Sequence, residues 1–163
     1  MNTDLKSSSP LRCQLGSWAD WAEAASQIRF AVFVDEQGVP ADMELDEEDD
    51  TAIHAIIFNA DNLPIATARL IAPGRLPVEV DIPEAAARIG RMAVLSAYRG
   101  QGVGAFLLHA MIDAAIVQGW PIQALHAQQY AAGFYQKAGF VVVGQPFDEA
   151  GIAHIGMVRH TGG

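Results

Sequence analysis

Ala93–Gly104 reads AVLSAYRGQGVG, and this stretch decides the fold. The apolar residues Met92, Ala93, Val94 and Leu95 form a strand that stops at Ser96-Ala97-Tyr98. Arg99-Gly100-Gln101-Gly102-Val103-Gly104 follows, and then a long helical pattern, so the order is strand, tight turn, helix. Three glycines within the five residues 100–104 let the backbone turn sharply and approach a ligand with no Cβ in the way. The first turn of a helix leaves N–H groups without intrahelical partners, at the positive end of the helix dipole. Such a turn suits a phosphate or pyrophosphate, and Arg99 adds a charged donor.

A glycine triplet alone is weak evidence, and a plain Gly-rich connection is the simpler alternative. Two known phosphate loops fit poorly. A Walker loop ends in Gly-Lys-Ser/Thr, where this chain has Val103-Gly104-Ala105. A dinucleotide-binding turn needs an acid about 20 residues on, and Gln118 to Ile122 supplies none.

Outward from the loop, Val103, Phe106, Leu107, Ala110, Met111 and Ala114 form one apolar stripe, and Leu108, Ile112, Ala115 and Ile116 a second. A helix apolar on two sides is covered on two sides. Gly119 ends it, and Pro121 prevents its return. Upstream, Leu11–Leu15 reads as a first strand and Trp18–Val34 as a helix started by Ser17 and Asp20. Ile53–Asn59 and Pro64–Ile71 are two strands joined by a hairpin-like turn, and Ala87–Leu95 is the strand that enters the loop. Downstream, Ile122–Ala127 is a short buried strand, Tyr130–Ala138 a short helix, and Phe140–Val143 and Ile152–Arg159 the last strands.

The 163 residues amount to one domain, expected over residues 11–160 after a flexible polar tail, 1–10. No apolar run is long enough to span a membrane, and the first ten residues lack the apolar block of a signal peptide. Cys13 is the single cysteine, which excludes an internal disulfide and fits the cytoplasm. A net charge of −9 disfavours a nucleic-acid partner. The acidic run Asp42, Glu44, Asp46, Glu47, Glu48, Asp49, Asp50 lacks the glycine and glutamate of a calcium loop. It reads as a solvated loop, or as a negative field that attracts a cationic amine. The scattered histidines do not support a metal site.

Two motifs carry a family resemblance. Arg99-x-x-Gly102-x-Gly104 resembles the acyl-CoA pyrophosphate loop of the GCN5-related N-acetyltransferases, without departure. Gln128-Gln129-Tyr130-Ala131-Ala132-Gly133-Phe134-Tyr135-Gln136-Lys137-Ala138-Gly139-Phe140 resembles the family's Asn-x-x-Ala-x-x-Phe-Tyr-x-x-x-Gly-Phe, in the family's order and spacing. Ile28–Gln37 and Phe147–Met157 are similar to the subgroup of small bacterial acyltransferases that includes YjcF and ElaA. The likeness covers about Leu11 to Arg159.

The resemblance implies an α/β fold with a twisted, mostly antiparallel sheet, one splayed parallel strand pair, and helices on both faces. It implies an N-acyltransferase that uses acetyl-CoA as co-substrate and a small amine as acceptor, with no metal, no membrane and no nucleic acid, and a homodimer as in many similar proteins. Gly100, Gln101, Gly102, Val103 and Gly104 with Arg99 would hold the diphosphate, and the backbone of Met92, Ala93 and Val94 the pantetheine arm. The Val94 N–H would face the oxyanion. Gln128 stands where the family has asparagine, one methylene shorter, so its pantetheine contact departs from the pattern. Tyr135 is at the position of the general acid, and a phenol with an ordinary pKa near 10 can donate to a thiolate. Glu36 is the expected base or amine ligand, His54, His126 and His154 are further candidate bases, and Asp49, Arg91, His126 and His154 are further acceptor-pocket candidates. Two other readings share the fold: a CoA-binding sensor without turnover, and transfer from an acyl-carrier protein, which an acidic chain disfavours.

Overall fold

The computed structural model describes residues 10–162. The polar tail expected over residues 1–10 lies outside them except for Pro10. Seven strands, β1 (Arg12–Gly16), β2 (Ile53–Phe58), β3 (Pro64–Ile71), β4 (Ala87–Val94), β5 (Ile122–Gln128), β6 (Val141–Glu149) and β7 (Ile152–His160), hydrogen-bond in the order β1-β2-β3-β4-β5-β7-β6. The parallel pair is β4 with β5, in register at Ala87 with Gln123 and Arg88 with Ala124. This is the mixed, mostly antiparallel sheet expected, with one parallel pair. Contacts cluster in two compact units, the first running to Arg69 and adding Arg91–Ala110, the second made of Leu70–Gly90 and Met111 onward.

In the first unit, β1 pairs antiparallel with β2. Helix α1 (Trp18–Arg29) starts at a capping box. Asp20 N donates to Ser17 Oγ at 3.3 Å, and Ser17 N donates back to Asp20 Oδ2 at 3.0 Å, which satisfies two end donors reciprocally. The expected single helix to Val34 changes character after Arg29. Residues Phe30–Glu36 form a π-helix, in which Gln37 N reaches back five residues to Val32 O at 3.1 Å. The wider turn carries the helical face around to Glu36, and such insertions cluster at functional sites. Ile28, Val32 and Ala93 pack together with Phe33 and Leu95.

The acidic run is a correction to the sequence reading. It folds into helix α2 (Ala41–Glu44) and a 3₁₀ turn, Glu47–Asp50, capped by Asp46, whose side chain accepts from Glu48 N. Glu44 and Asp49 are buried rather than solvated.

In the second unit, β7 lies between β5 and β6 and is antiparallel to both. Ile82, Ala86, Ala124 and Val158 form its core with Ile122 and Val143. Strand β6 runs six residues past the expected end at Val143. Gly144-Gln145-Pro146 is an irregularity in the β6–β7 ladder, between Val143 and Phe147. Gly144 sits there at φ +71°, where a Cβ would collide with the Asp81 carboxylate, so only glycine is accommodated. The helix expected from Tyr130 is a 3₁₀ turn, Gln129–Ala131, followed by helix α4 (Ala132–Gln136), with Gly139 at φ +97° after it.

Helix α3 (Val103–Val117) follows the glycine turn as expected. Leu107, Leu108, Met111, Ile112 and Ala115 are buried, whereas Phe106 and Ile116 are 41% and 42% exposed, so each apolar stripe is narrower than its sequence suggested. Among the described residues, no helix is long and apolar enough to cross a membrane.

Candidate functional site

The first unit carries the glycine loop. Gly100 and Gly102 hold φ of +76° and +83°, and a Cβ built on either would meet nothing within 4 Å. Both positions favour glycine through backbone conformation, and both face open space rather than packing. That combination leaves the amides at the start of α3 open to an anion. Arg99 is already oriented: its Nε donates to Val94 O at 2.9 Å, and its Nη2 pairs with Glu36 Oε1 at 2.5 Å. Gln101 Nε2 donates to Ala97 O at 3.3 Å, which ties the loop to the turn before it. The donor set of arginine, glycine amides and helix N-terminus fits a diphosphate. Glu36, expected as the base, would have to give up its ion pair with Arg99 to act as one.

Arg91, one residue before Met92-Ala93-Val94, holds φ +49°, a left-handed conformation that costs a non-glycine residue roughly 1–2 kcal/mol. Its side chain explains why it is tolerated. Nε lies 3.2 Å from Glu44 Oε2 and donates to Glu44 O, and Nη2 pairs with Asp46 Oδ2 at 3.3 Å.

These contacts are the edge of a buried ionic network. Arg29 is 1% exposed and meets Glu44 Oε2 at 2.6 Å through Nε, Asp49 Oδ1 at 2.8 Å through Nη1, and Glu44 O at 2.7 Å through Nη2. Arg69 pairs with Asp46 at 2.6 Å and Asp49 at 2.9 Å, and its Nε is buried with no hydrogen-bond partner among the described residues. His54 Nε2–H donates to Asp49 O at 2.9 Å, beneath the Trp18 ring. Three arginines thus meet three carboxylates. Burial alone would raise the Asp49 carboxyl, but the bonds and charges of Arg29 and Arg69 outweigh it and hold it below the usual range. Asp46 is held low in the same way, by Arg69 and Arg91 against burial. For Glu44 burial wins over its arginines, and its carboxyl is raised. Burial also lowers the His54 pKa, which keeps that ring neutral. The network fixes Asp49 and Arg91, both acceptor-pocket candidates, in place.

The second unit carries a second cluster. His126 Nε2 lies 2.8 Å from Glu79 Oε1 and 3.1 Å from Arg88 Nη2, and its Nδ1 lies 3.3 Å from Glu149 Oε1. Arg88 also pairs with Glu79 Oε2 at 2.8 Å. Burial alone would lower the His126 pKa, but Glu149 and Glu79 outweigh it and raise it. Phe147 meets His126 edge-on at 4.8 Å between ring centroids and stacks on His154 at 6.0 Å. The two candidate histidines therefore flank one phenyl ring. His154 Nδ1–H donates to Ile152 O at 2.8 Å. Tyr135, on α4, packs edge-on against Phe134 and Phe140. Burial first, and Tyr130 second, push its pKa up to about 12, above the ordinary value expected for it. Gln128 ends β5, opposite His154 in the β7 register.

Sequence reading missed Arg29, Glu44, Asp46 and Arg69 in one cluster, and Glu79, Arg88 and Glu149 in the other. One signal was present. Arg29 and Arg69 sit in apolar segments, and a buried arginine requires carboxylate partners. Among the described residues, no group of three His, Cys, Asp or Glu is arranged to hold a metal ion.

The family model of the acetyltransferase (GNAT) domain matches residues 23–160. Protein ElaA of Escherichia coli is 35% identical over 85% of this chain and 86% of its own. The uncharacterized N-acetyltransferase YjcF of Bacillus subtilis is 31% identical over 83% of this chain and 89% of its own. A crystal structure of an acyl-CoA N-acyltransferase from Pseudomonas aeruginosa superposes with a TM-score of 0.79 at 33% identity, covering 92% of this chain and 99% of that one. The chain belongs to the GCN5-related N-acetyltransferase family, whose members use acyl-CoA as co-substrate.

Proposed function

We propose that residues 11–160 act as one domain that moves an acyl group, acetyl in the simplest case, from acyl-CoA directly to the amine of a small molecule or peptide in a ternary complex. One observation carries this reading: Gly100 and Gly102 are left-handed and unobstructed beside an arginine already fixed by Glu36 and Val94. When bound, acyl-CoA supplies an activated thioester. Arg99 and the amides of residues 100–104 bind the diphosphate. The backbone of Met92, Ala93 and Val94 orients the pantetheine, with Gln128 as a further contact. The Val94 N–H donates to the carbonyl oxygen as it gains charge.

Tyr135 serves the departing sulfur. A phenol pushed up to about 12 is fully protonated at neutral pH. Complete transfer from it to a more acidic thiol runs uphill, so a hydrogen bond to the sulfur is the role that fits. Tyr135→Phe is expected to lower turnover about 10-fold or more while acetyl-CoA affinity stays within about twofold. Thiol release from acetyl-CoA with a panel of amines tests both the function and this role. An unchanged rate in Tyr135→Phe would remove the residue from the chemistry. No amine-dependent thiol release in the wild-type chain would remove the function.

A further inference from the structure

The acyltransferase reading requires a group that takes a proton from the incoming ammonium, because only a neutral amine attacks a carbonyl. The structure discriminates among the candidates. His54 is 1% exposed and donates to Asp49 O beneath Trp18. Glu36 is engaged with Arg99, and His154 is buried with Nδ1–H on Ile152 O. The His126 side chain remains 24% exposed and touches Glu79 and Phe147, both of which line a cleft with Asp81, Ile82, Gly144 and Gln145.

We propose that His126 is the proton acceptor for a cationic amine substrate, taking the proton on Nε2 while Glu79 docks the ammonium and Glu149 holds Nδ1–H. This rests on the acyltransferase reading above. The heavy-atom geometry accommodates both protonation states without movement. With Nε2 bare, its lone pair accepts from Arg88 Nη2 at 3.1 Å. With Nε2 protonated, it donates to Glu79 Oε1 at 2.8 Å. In both states Nδ1–H faces Glu149 at 3.3 Å. In the step itself the ammonium displaces Arg88 Nη2 from the bare Nε2, an N–H bond of the ammonium breaks as an Nε2–H bond forms, and the lone pair left on the amine becomes the nucleophile. The imidazolium lies between two carboxylates, which stabilise it. The charged groups facing His126 are Glu79 from the segment before β4, Arg88 from β4 and Glu149 from β6, with His154 of β7 across the Phe147 ring. Glu79, Arg88 and Glu149 tune and position it, and Glu79 also contacts the substrate.

The test follows thiol release from acetyl-CoA with spermidine, glucosamine and lysine amide between about pH 5 and 10, on the full chain and four variants. His126→Gln is expected to lose about 100-fold in turnover with unchanged acetyl-CoA affinity. In the wild type the rate rises with pH through a midpoint above the ordinary histidine value of about 6.5. Glu79→Gln and Glu149→Gln move that midpoint to lower pH, and Arg88→Gln moves it to higher pH. A purely structural cluster would instead lower rates equally at every pH. Imidazole ¹H–¹⁵N spectra across the same range should show Nε2 losing its proton while Nδ1 keeps it. Wild-type rates in His126→Gln, an unmoved midpoint in Glu79→Gln, or proton loss at Nδ1 would each overturn the assignment. Wild-type chain that neither binds acetyl-CoA nor releases thiol would instead contradict the acyltransferase reading, and the spectra would still decide between the two ring nitrogens.

Discussion

Arg29→Ala is expected to destabilise the chain by about 3–5 kcal/mol, the range for removing one partner from a buried ion pair. Arg29 is one of three cations set against Glu44, Asp46 and Asp49, and its guanidinium donates four hydrogen bonds to Glu44 and Asp49. Without it, two buried carboxylates lose a shared partner, and Asp49 keeps Arg69 as its arginine together with the Asp46 N–H. The guanidinium also lies 5.5 Å from the Trp18 ring, so packing is lost together with charge. Against a typical total stability of about 5–15 kcal/mol, the loss is a large fraction of what keeps the chain folded. Arg29→Lys should recover only part of it, because one ammonium cannot reproduce the fork that reaches Glu44 Oε2 and Asp49 Oδ1 together. Urea unfolding should show a lower midpoint at unchanged slope. Glu47→Gln, an exposed member of the same acidic run, should leave the midpoint within about 0.5 kcal/mol. A loss below about 1 kcal/mol in Arg29→Ala would mean that the network is not the frame of the first unit.

The second large effect is functional. Gly102→Glu is expected to weaken acetyl-CoA binding at least about 100-fold while the chain still folds. The position has φ +83°, and a Cβ there meets nothing within 4 Å, so the added side chain starts in open space beside the amides assigned to the diphosphate. The left-handed conformation costs a residue with a Cβ roughly 1–2 kcal/mol, a cost the fold can absorb. The carboxylate then places a negative charge where the diphosphate must sit, and the like charges repel. Gly102→Ala separates the two effects. It carries the backbone cost without the charge, and it should lose far less affinity than Gly102→Glu. Calorimetric titration of both variants measures the difference, and equal losses would show that backbone strain, not anion binding, explains the glycine.

The loop was legible because its meaning is local. Strand, left-handed glycines and helix start are specified within residues 92–107, and the structure has each where the residue types demand it. Most strand boundaries were legible for the same reason. The exceptions are instructive. The π-helix after Arg29 has no local marker in Phe30–Glu36, which is apolar enough to continue an α-helix. The strand expected to end at Val143 continues to Glu149, because β7 pairs with β6 on both sides of the irregularity at Gly144-Gln145-Pro146. The acidic run looked solvated because its partners, Arg29, Arg69 and Arg91, are 15 to 47 residues away in sequence. Charge pairing across such separations is a property of the fold, and no window along the chain contains it. Glu79 and Glu149 were invisible as partners of His126 for that reason too.

The most direct measurement compares CoA with pantetheine in calorimetric titrations of the wild-type chain. Pantetheine keeps the thiol arm that Met92–Val94 would orient but lacks the diphosphate assigned to Arg99 and residues 100–104. CoA should bind, and pantetheine should bind at least about 100-fold more weakly. Equal affinities, or no binding of CoA at all, would contradict the account.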